Sequence, residues 1–557
     1  MMLNQKIRSS PLGIFGTKGA NSKHRSGHRQ QGGLVPNRFQ SLCGNARKYP
    51  FQIITSLYNQ GNSLLKRRHI TRSGGLVIAP SKLMGYNKSH IPPIIVYPGG
   101  VMNLSHQFAA HVIATGFDAL DQATVSRARW RILDAVGCLI AGANAPGCPA
   151  MLALVKKWGG APESTILAHG FKAPAVHAAM MNSLMTRSFD YEPVDAEGFD
   201  GKSSPAHISG TTVPTALAAA EKEAVSGRDL ITALVLGDDI ACRLGIASGF
   251  DFELGWDNTG TINAFAATAI AGKLSGLNES QLHHAFGIVL NQLAGSMDGV
   301  YDKSMSFKLP IALSARNGIF AAELAGEGFA GVKDPFLGPH GFFHNYCRDY
   351  TTENLTRDLG KRFFADAIIK PYSACRATHS SIDSALKIAR SHQYEAADIE
   401  GIDVRVTPGT AKGFCGDELV FGETPQVDGA FSIRYTVACA LLRRDVKPGY
   451  FTDAALHDPK IMELVRKMRL LPDILTEKAP ATEIRVTLKD GRSFSAATDF
   501  PTGHIFKTPL SGDFIKDKFR QNVAGIIAAE KAEKALEIIL KLEDLQDIRG
   551  LTGLLVK

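Results

Sequence analysis

Apolar positions set the first expectations for this chain. After Asp121, the residues Val125, Ala128, Ile132, Leu133, Val136, Leu139 and Ile140 recur mostly at steps of three and four, which is one face of an α-helix. Thr261 to Gly272 reads as a second helix built mainly of small residues, and Ala315 to Ala325 as a third. Asn278 with Gln281 three residues on is close to a capping box and predicts a helix start. So many Ala and Gly residues on helix faces predict close packing in a large all-helical body, from about Leu104 to Ala365. No repeat of 20–50 residues interrupts it.

The pattern changes near Lys370. Ile402 to Val406 and Glu483 to Leu488 alternate apolar and polar, as half-buried strands do. Asp490-Gly491 follows the second, a strong hairpin signal, and Ser493-Phe494-Ser495 returns. Helices are expected at Ser380–His392 and Phe431–Leu442. Thr508-Pro509-Leu510-Ser511 then opens a closing helical segment suited to packing back onto the body. The expected fold is mainly α: a basic leader (1–101), a large all-helical domain (102–365), a smaller α+β lid domain (366–508), and a C-terminal helical segment (509–557) that returns to the helical domain.

Charge separates the leader from the rest. The formal net charge is +9, yet the first 100 residues hold 15 Lys and Arg and no acidic residue; the first is Asp118. The remainder carries 47 basic against 53 acidic residues, so the basic balance is no argument for nucleic acid. An acid-poor, Arg- and Ser-rich leader has the composition of an organelle transit segment, which predicts a mitochondrial location, with a cytoplasmic one as the alternative. A solvated tail, or a start upstream of a true beginning at Met102, fits the same composition. No stretch of about 18 uninterrupted apolar residues exists, so no membrane partner is expected. The eight cysteines are dispersed and contain no C-x-x-C, which speaks against a zinc knuckle or an iron–sulfur ligand set.

Four clusters carry candidate chemistry. Ser188-Phe189-Asp190-Tyr191-Glu192 and Ser204-Pro205-Ala206-His207-Ile208-Ser209-Gly210 offer a carboxylate and a histidine separated by a loop, a pairing suited to acid–base work, although each is as readily a turn or structural residue. Tyr301 to Pro310 places Lys303 and Lys308 just before a helix start, where positive charge is out of place unless an anion joins it. Lys370-Pro371-Tyr372-Ser373-Ala374-Cys375-Arg376-Ala377-Thr378-His379 gathers cations at the domain change, where clefts form. In Phe431-Ser432-Ile433-Arg434-Tyr435, Tyr435 reads as a core residue, with a phenol at the substrate as the other reading.

Together these segments resemble the MmgE/PrpD family, which includes 2-methylcitrate dehydratases and cis-aconitate decarboxylases. The resemblance runs from about Leu104 to Arg520 and rests on Arg131 to Cys138, the Asp190 and His207 pair, Ala315-Arg316-Asn317-Gly318, Lys370 to His379, and Asp499-Phe500-Pro501 with Pro509-Leu510. It implies a helical domain with an α+β lid, a homodimer, no cofactor and no metal, and a small polycarboxylate substrate. It also implies that Asp190 and His207 line the active site, that Lys370 is a site lysine, and that a further one falls on Phe307 or Lys308, of which Lys308 is the chemically sensible match.

On that resemblance, Lys308, Lys370 and Arg376 would grip the substrate and offset charge in a carbanion-like transition state. Tyr372 and Tyr435 join the binding group, His207 transfers the proton, Asp190 orients it, and His379 supports it or replaces it as acid or base. Two departures bear on the reaction. Asp257 stands where family decarboxylases carry a second active-site histidine, and Ser204 to Ser209 replaces the matching stretch of methylcitrate dehydratases. The expectation is dehydration of a 2-alkylcitrate-like hydroxy-tricarboxylic acid. Decarboxylation of cis-aconitate to an itaconate-type product is the alternative, and a non-catalytic carboxylate-binding homologue the third reading.

Overall fold

In the computed structural model the described residues are 103–475 and 481–557, with three short strands before them: β1 (Leu76–Ile78), β2 (Ile94–Tyr97) and β3 (Gly100–Val101), joined in one antiparallel sheet. The rest of the expected leader lies outside the described residues.

Most of the described chain is helical, and the helices begin where their caps predict. Asp121 accepts from Thr124 N and starts Gln122–Ala141; Asn278 and Gln281 complete a reciprocal capping box for Glu279–Val289; Ser511 caps Gly512–Val523. The long central helix Leu309–Gly326 packs on Ile262–Leu274 and Ala175–Thr186. Gly318 explains how close: a Cβ there would meet the Ala267 Cβ at 2.4 Å, so only glycine permits this approach.

One hydrophobic core joins these helices to the closing segment through Ile515, Phe519, Leu536 and Ile539. A second core lies under a four-stranded sheet ordered β10-β9-β11-β12. Its strands are β9 (Ile399–Val406), β10 (Met468–Leu471), β11 (Thr482–Leu488) and β12 (Ser493–Thr498). Val404 and Ile484 are paired across β9 and β11, and their alternation buries Ile402, Val404, Val406, Ile484, Val486 and Leu488. β10 runs parallel to β9, a strand the alternation did not reveal. The two helices expected in this part are present as His379–Ser391 and Ile433–Arg443.

One correction concerns the all-helical body. It contains two small sheets. The first pairs β4 (Ser164–Ile166) with β5 (Phe171–Ala173), and the second is ordered β7-β6-β8. Its strands β6 (Val194–Glu197), β7 (Ser203–Ser204) and β8 (Asp366–Ile368) are two to four residues long, too short to show a period in sequence. β6 and β8 pair antiparallel, Val194 with Ile368 and Ala196 with Asp366, and this pairing builds the site.

Candidate active site

The helix Ala175–Thr186 runs into the tight turn Arg187–Phe189 and stops at Asp190, whose φ of 47° is left-handed. A non-glycine residue adopts that conformation at a cost of about 1 kcal/mol or more, so the surroundings must hold it. The holding group is Lys370, carried two residues beyond β8 and delivered by the β6–β8 pairing. Lys370 Nζ donates to Asp190 O and Asp190 Oδ1, both at 2.7 Å, and to Ala374 O at 3.2 Å. Lys518 repeats the device from the C-terminal segment: its Nζ reaches Asp134 Oδ1 at 2.7 Å, Lys370 O at 2.8 Å and Tyr191 O at 2.9 Å. Lys370 thus uses its three donors within the protein, and Lys518 makes two hydrogen bonds and an ion pair with Asp134.

His207 is placed from the other side. Asp366 on β8 accepts from Ser209 N at 2.7 Å and Ile208 N at 3.3 Å, tying down the start of Ser209–Glu223 directly after the histidine. Burial pushes the Asp366 carboxyl up to about 7. Asn263 donates to His207 O at 2.8 Å.

At the centre stand two carboxylates, one guanidinium and one imidazole. Glu192 Oε1 lies 2.8 Å from His207 Nδ1, whereas Asp190 Oδ1 is 3.8 Å away. Arg187 Nη1 donates to Asp190 Oδ1 and, at 3.1 Å, to Glu192 Oε1; it also lies 3.1 Å from His207 Nδ1. Burial is the largest single influence and opposes ionisation of both acids, but Arg187, Lys370 and His207 together outweigh it and hold the Asp190 and Glu192 carboxyls below their ordinary values. With Glu192 ionised at this distance, the imidazole carries its proton on Nδ1 and donates it, a tautomer assigned from the bonding pattern. Nε2 then has no hydrogen-bond partner among the described residues, and the side chain is 19 % exposed. The donor atoms of Asp190, Glu192 and His207 lie within 4.8 Å of one another, a spacing that suits a cation. Arg187 Nη1, within 3.1 Å of Glu192 and His207 and bonded to Asp190, occupies that position itself.

The candidates named from the sequence divide. His207, Asp190 and Lys370 come together, but Lys370 is wholly buried and has no donor left for a ligand, so it is a clamp rather than a substrate anchor. Glu192, and not the Asp190 expected to orient it, is the carboxylate within hydrogen-bond distance of His207. The Arg376 Nε is 3.7 Å from Asp195 Oδ2, the guanidinium makes no hydrogen bond among the described residues, and its side chain is 18 % exposed.

Four expectations are corrected. His379 is fully buried, its Nε2 bonds Ala374 O at 3.1 Å, and burial with the Arg376 and Lys370 charges holds it well below the usual histidine range. It is therefore a neutral core residue behind the Lys370 loop and no alternative acid. Tyr372 donates to Asp383 Oδ1 at 2.5 Å and lines a different, 680 Å³ cleft with Lys387, Arg390 and Arg444. Tyr435 is fully buried in the second core, with its hydroxyl on Tyr450 O at 2.5 Å. Lys308 is 1 % exposed, bonds Pro146 O at 2.8 Å and lines an apolar pocket that none of the central four residues reaches. Phe307, its neighbour, is the residue that faces the site, with the Arg187 guanidinium 5.0 Å from its ring centre. Asp257, the departure noted above, caps a turn by accepting from Thr259 N and Oγ1.

Sequence reasoning missed Arg187, Glu192, Lys518 and Asp366 as parts of the site. Two acids two residues apart with an arginine just before them were the available signal.

Fold and site together define a mainly helical protein in which a buried carboxylate, Glu192, holds a partly exposed imidazole, His207, beside an Asp190 held by Lys370. The chain belongs to the MmgE/PrpD family: the MmgE/PrpD N-terminal domain matches residues 106–354 and the MmgE/PrpD C-terminal domain residues 372–544. Among curated relatives, it is 25 % identical to the cis-aconitate decarboxylase-like protein oryM of Aspergillus oryzae, over 77 % of this chain and 92 % of that protein. It is 26 % identical to the cis-aconitate decarboxylase of Aspergillus terreus, over 79 % and 93 %, and 25 % identical to that of Mus musculus, over 81 % and 93 %.

Proposed function

We propose that this protein is a carboxy-lyase acting on a small polycarboxylate of the cis-aconitate type. The observation that carries this reading is His207, whose Nδ1 is held by Glu192 while Nε2 is left without a partner. Decarboxylation needs one proton donor: the ring, which keeps its Nδ1 proton against Glu192, takes a second proton at Nε2 from water, the C–C bond to the departing CO2 breaks, its electron pair stays on carbon, and that Nε2 proton goes to the carbon. Glu192 stabilises the imidazolium and Arg376 offers free donors for a remaining carboxylate. Dehydration asks for a base to take a carbon-bound proton and an acid to expel hydroxide, and His379, expected to support or replace His207, is buried and neutral and cannot be the second of these groups. The relatives named above support the same choice.

Dehydration of a 2-alkylcitrate-like acid is kept as a second reading on one observation, that Asp257 stands in the segment where family decarboxylases carry a histidine. The test is incubation of the purified protein with cis-aconitate and with a set of 2-alkylcitrates. Release of CO2 with a product one carbon shorter, abolished in His207→Gln, is the expected result. Alkene formation without CO2 turns the reading to the hydro-lyase. Binding without turnover leaves a carboxylate-binding homologue.

A further inference from the structure

β6 carries a second strained aspartate, one that the proposed chemistry leaves unused. Asp195 lies between the buried residues Val194 and Ala196 with a φ of 66°, left-handed like Asp190. At Asp190, bonds from Lys370 and Arg187 hold that conformation. At Asp195 the backbone supplies one bond, from its N to Ala206 O at 2.9 Å, and the carboxylate makes no hydrogen bond among the described residues. Its ion-pair partner is Arg376, whose Nε is 3.7 Å from Oδ2. Strain that no bond of the side chain accounts for is a mark of a residue held towards a ligand.

The surroundings of Asp195 are those of the site. Its N is bonded to the residue just before His207, and the charged groups that act on its carboxyl are Arg376, His207 and Lys370. Lys370 has all three donors bonded elsewhere. Arg376 also feels Asp383, but that carboxylate accepts from Tyr372 and from Thr502 N. The other ionisable groups beside Arg376 are Cys375, His379 and His504. The side chains of Asp195, His207 and Arg376 are 20 %, 19 % and 18 % exposed, so all three can meet a ligand. An anion therefore already stands beside the guanidinium that the proposed reaction gives to a substrate carboxylate. A second carboxylate brought to the same guanidinium disfavours ionisation of the first. Burial already raises the Asp195 carboxyl above its ordinary value, and Arg376, His207 and Lys370 offset only part of the rise.

We propose that Asp195 is a specificity-determining residue of this site: it is the counter-ion of Arg376 before a polycarboxylate binds, and on binding it takes one proton from solvent, yields Arg376 to a substrate carboxylate and donates a hydrogen bond to that carboxylate. The ligand's charge replaces the charge of Asp195, and the guanidinium is balanced in both states. The inference rests on the reading of Arg376 as the anchor of the substrate. It names the class of ligand more closely, as a multiply ionised carboxylate bound together with a proton and therefore bound more tightly as the pH falls.

Equilibrium binding of tricarballylate to the full chain, wild type against Asp195→Asn from pH 5 to pH 8, tests this. Tricarballylate has three carboxylates and neither a double bond nor a hydroxyl to react. Asn tolerates the left-handed conformation as Asp does, and it keeps a donor while losing the charge. The ionisation of the ligand is common to both proteins and cancels in the ratio of their affinities. At pH 8 the variant is expected to bind roughly tenfold or more tightly than wild type, and at pH 5 to come within about threefold of it. Asp195→Gly, which takes a positive φ freely, should also bind more tightly than wild type at pH 8. A ratio that is constant with pH, or variants that bind no more tightly than wild type at pH 8, overturns the inference and leaves Arg376 as the anchor. No binding to any of the three proteins at millimolar concentration overturns the inference and the anchor together.

Discussion

Glu192 Oε1 is 2.8 Å from His207 Nδ1, and Asp190 Oδ1 is 3.8 Å from the same atom. The nearer carboxylate is wholly buried and sets the tautomer of the imidazole; the farther one is committed to Arg187 and Lys370. Glu192→Gln should therefore lower kcat by about 100-fold or more with little change in KM, the scale of a lost acid–base contribution. Asp190→Asn should cost less in kcat. Steady-state kinetics of the two variants decide it, and a larger kcat loss in Asp190→Asn would reverse the assignment.

Lys370 has no exposed surface, and all three of its donors are bonded inside the protein. Replacing it by Met strands Asp190 as a buried charge that retains only Arg187. The expected loss is about 3–5 kcal/mol, the usual consequence of breaking a buried pair from one side. Denaturant unfolding measures it, and a loss below about 1 kcal/mol would show that Lys370 is not the clamp described.

The buried carboxyls respond to pH in opposite directions. Asp190 and Glu192 are held down in the fold, so their stabilisation is present above the ordinary carboxylate pKa, about 4, and is lost as the pH falls through the folded values. Asp366 is raised to about 7, so the folded state holds its proton more tightly than the unfolded chain does. Its contribution declines as the pH rises from about 4 towards about 7, and the decline is complete above that. Asp366→Asn lacks this titration. Unfolding midpoints taken from pH 4 to pH 8 should shift in favour of the variant relative to wild type up to about pH 7 and level off beyond it, and a constant difference would refute the raised carboxyl.

Tyr435 separates stability from catalysis. Its hydroxyl meets Tyr450 O inside the second core, away from His207. Tyr435→Phe should cost about 1 kcal/mol of stability, the scale of one buried hydrogen bond, and leave kcat and KM unchanged. A raised KM would return the phenol to the substrate.

Local signals in the sequence carried most of the elements. Asp121, Asn278 and Ser511 announced helix starts, small residues announced close helix contacts, and Asp490-Gly491 announced the β11–β12 hairpin. Each depends on neighbours within a few positions, so the chain states it directly. Lys308 shows where such reading stops. It and Phe307 are adjacent in the 3-10 turn Met305–Lys308, where successive residues point about 120° apart. The Phe307 ring therefore meets the Arg187 guanidinium while the Lys308 ammonium bonds Pro146 O, and residue type alone could not show which of the two would face Arg187.

The sequence by itself determined the family, the mainly helical body, the strands β9, β11 and β12, and the presence of Asp190 and His207 in one site. Only the tertiary structure decided which group does what. The pairing of β6 with β8 brings Lys370 onto Asp190 across 180 positions, and Lys518 arrives from 327 positions beyond Tyr191. Whether a charged side chain is an anchor, a clamp or a pocket wall depends on how many of its donors the fold has already satisfied. That number is a property of contacts between distant segments, and no local pattern along the chain contains it.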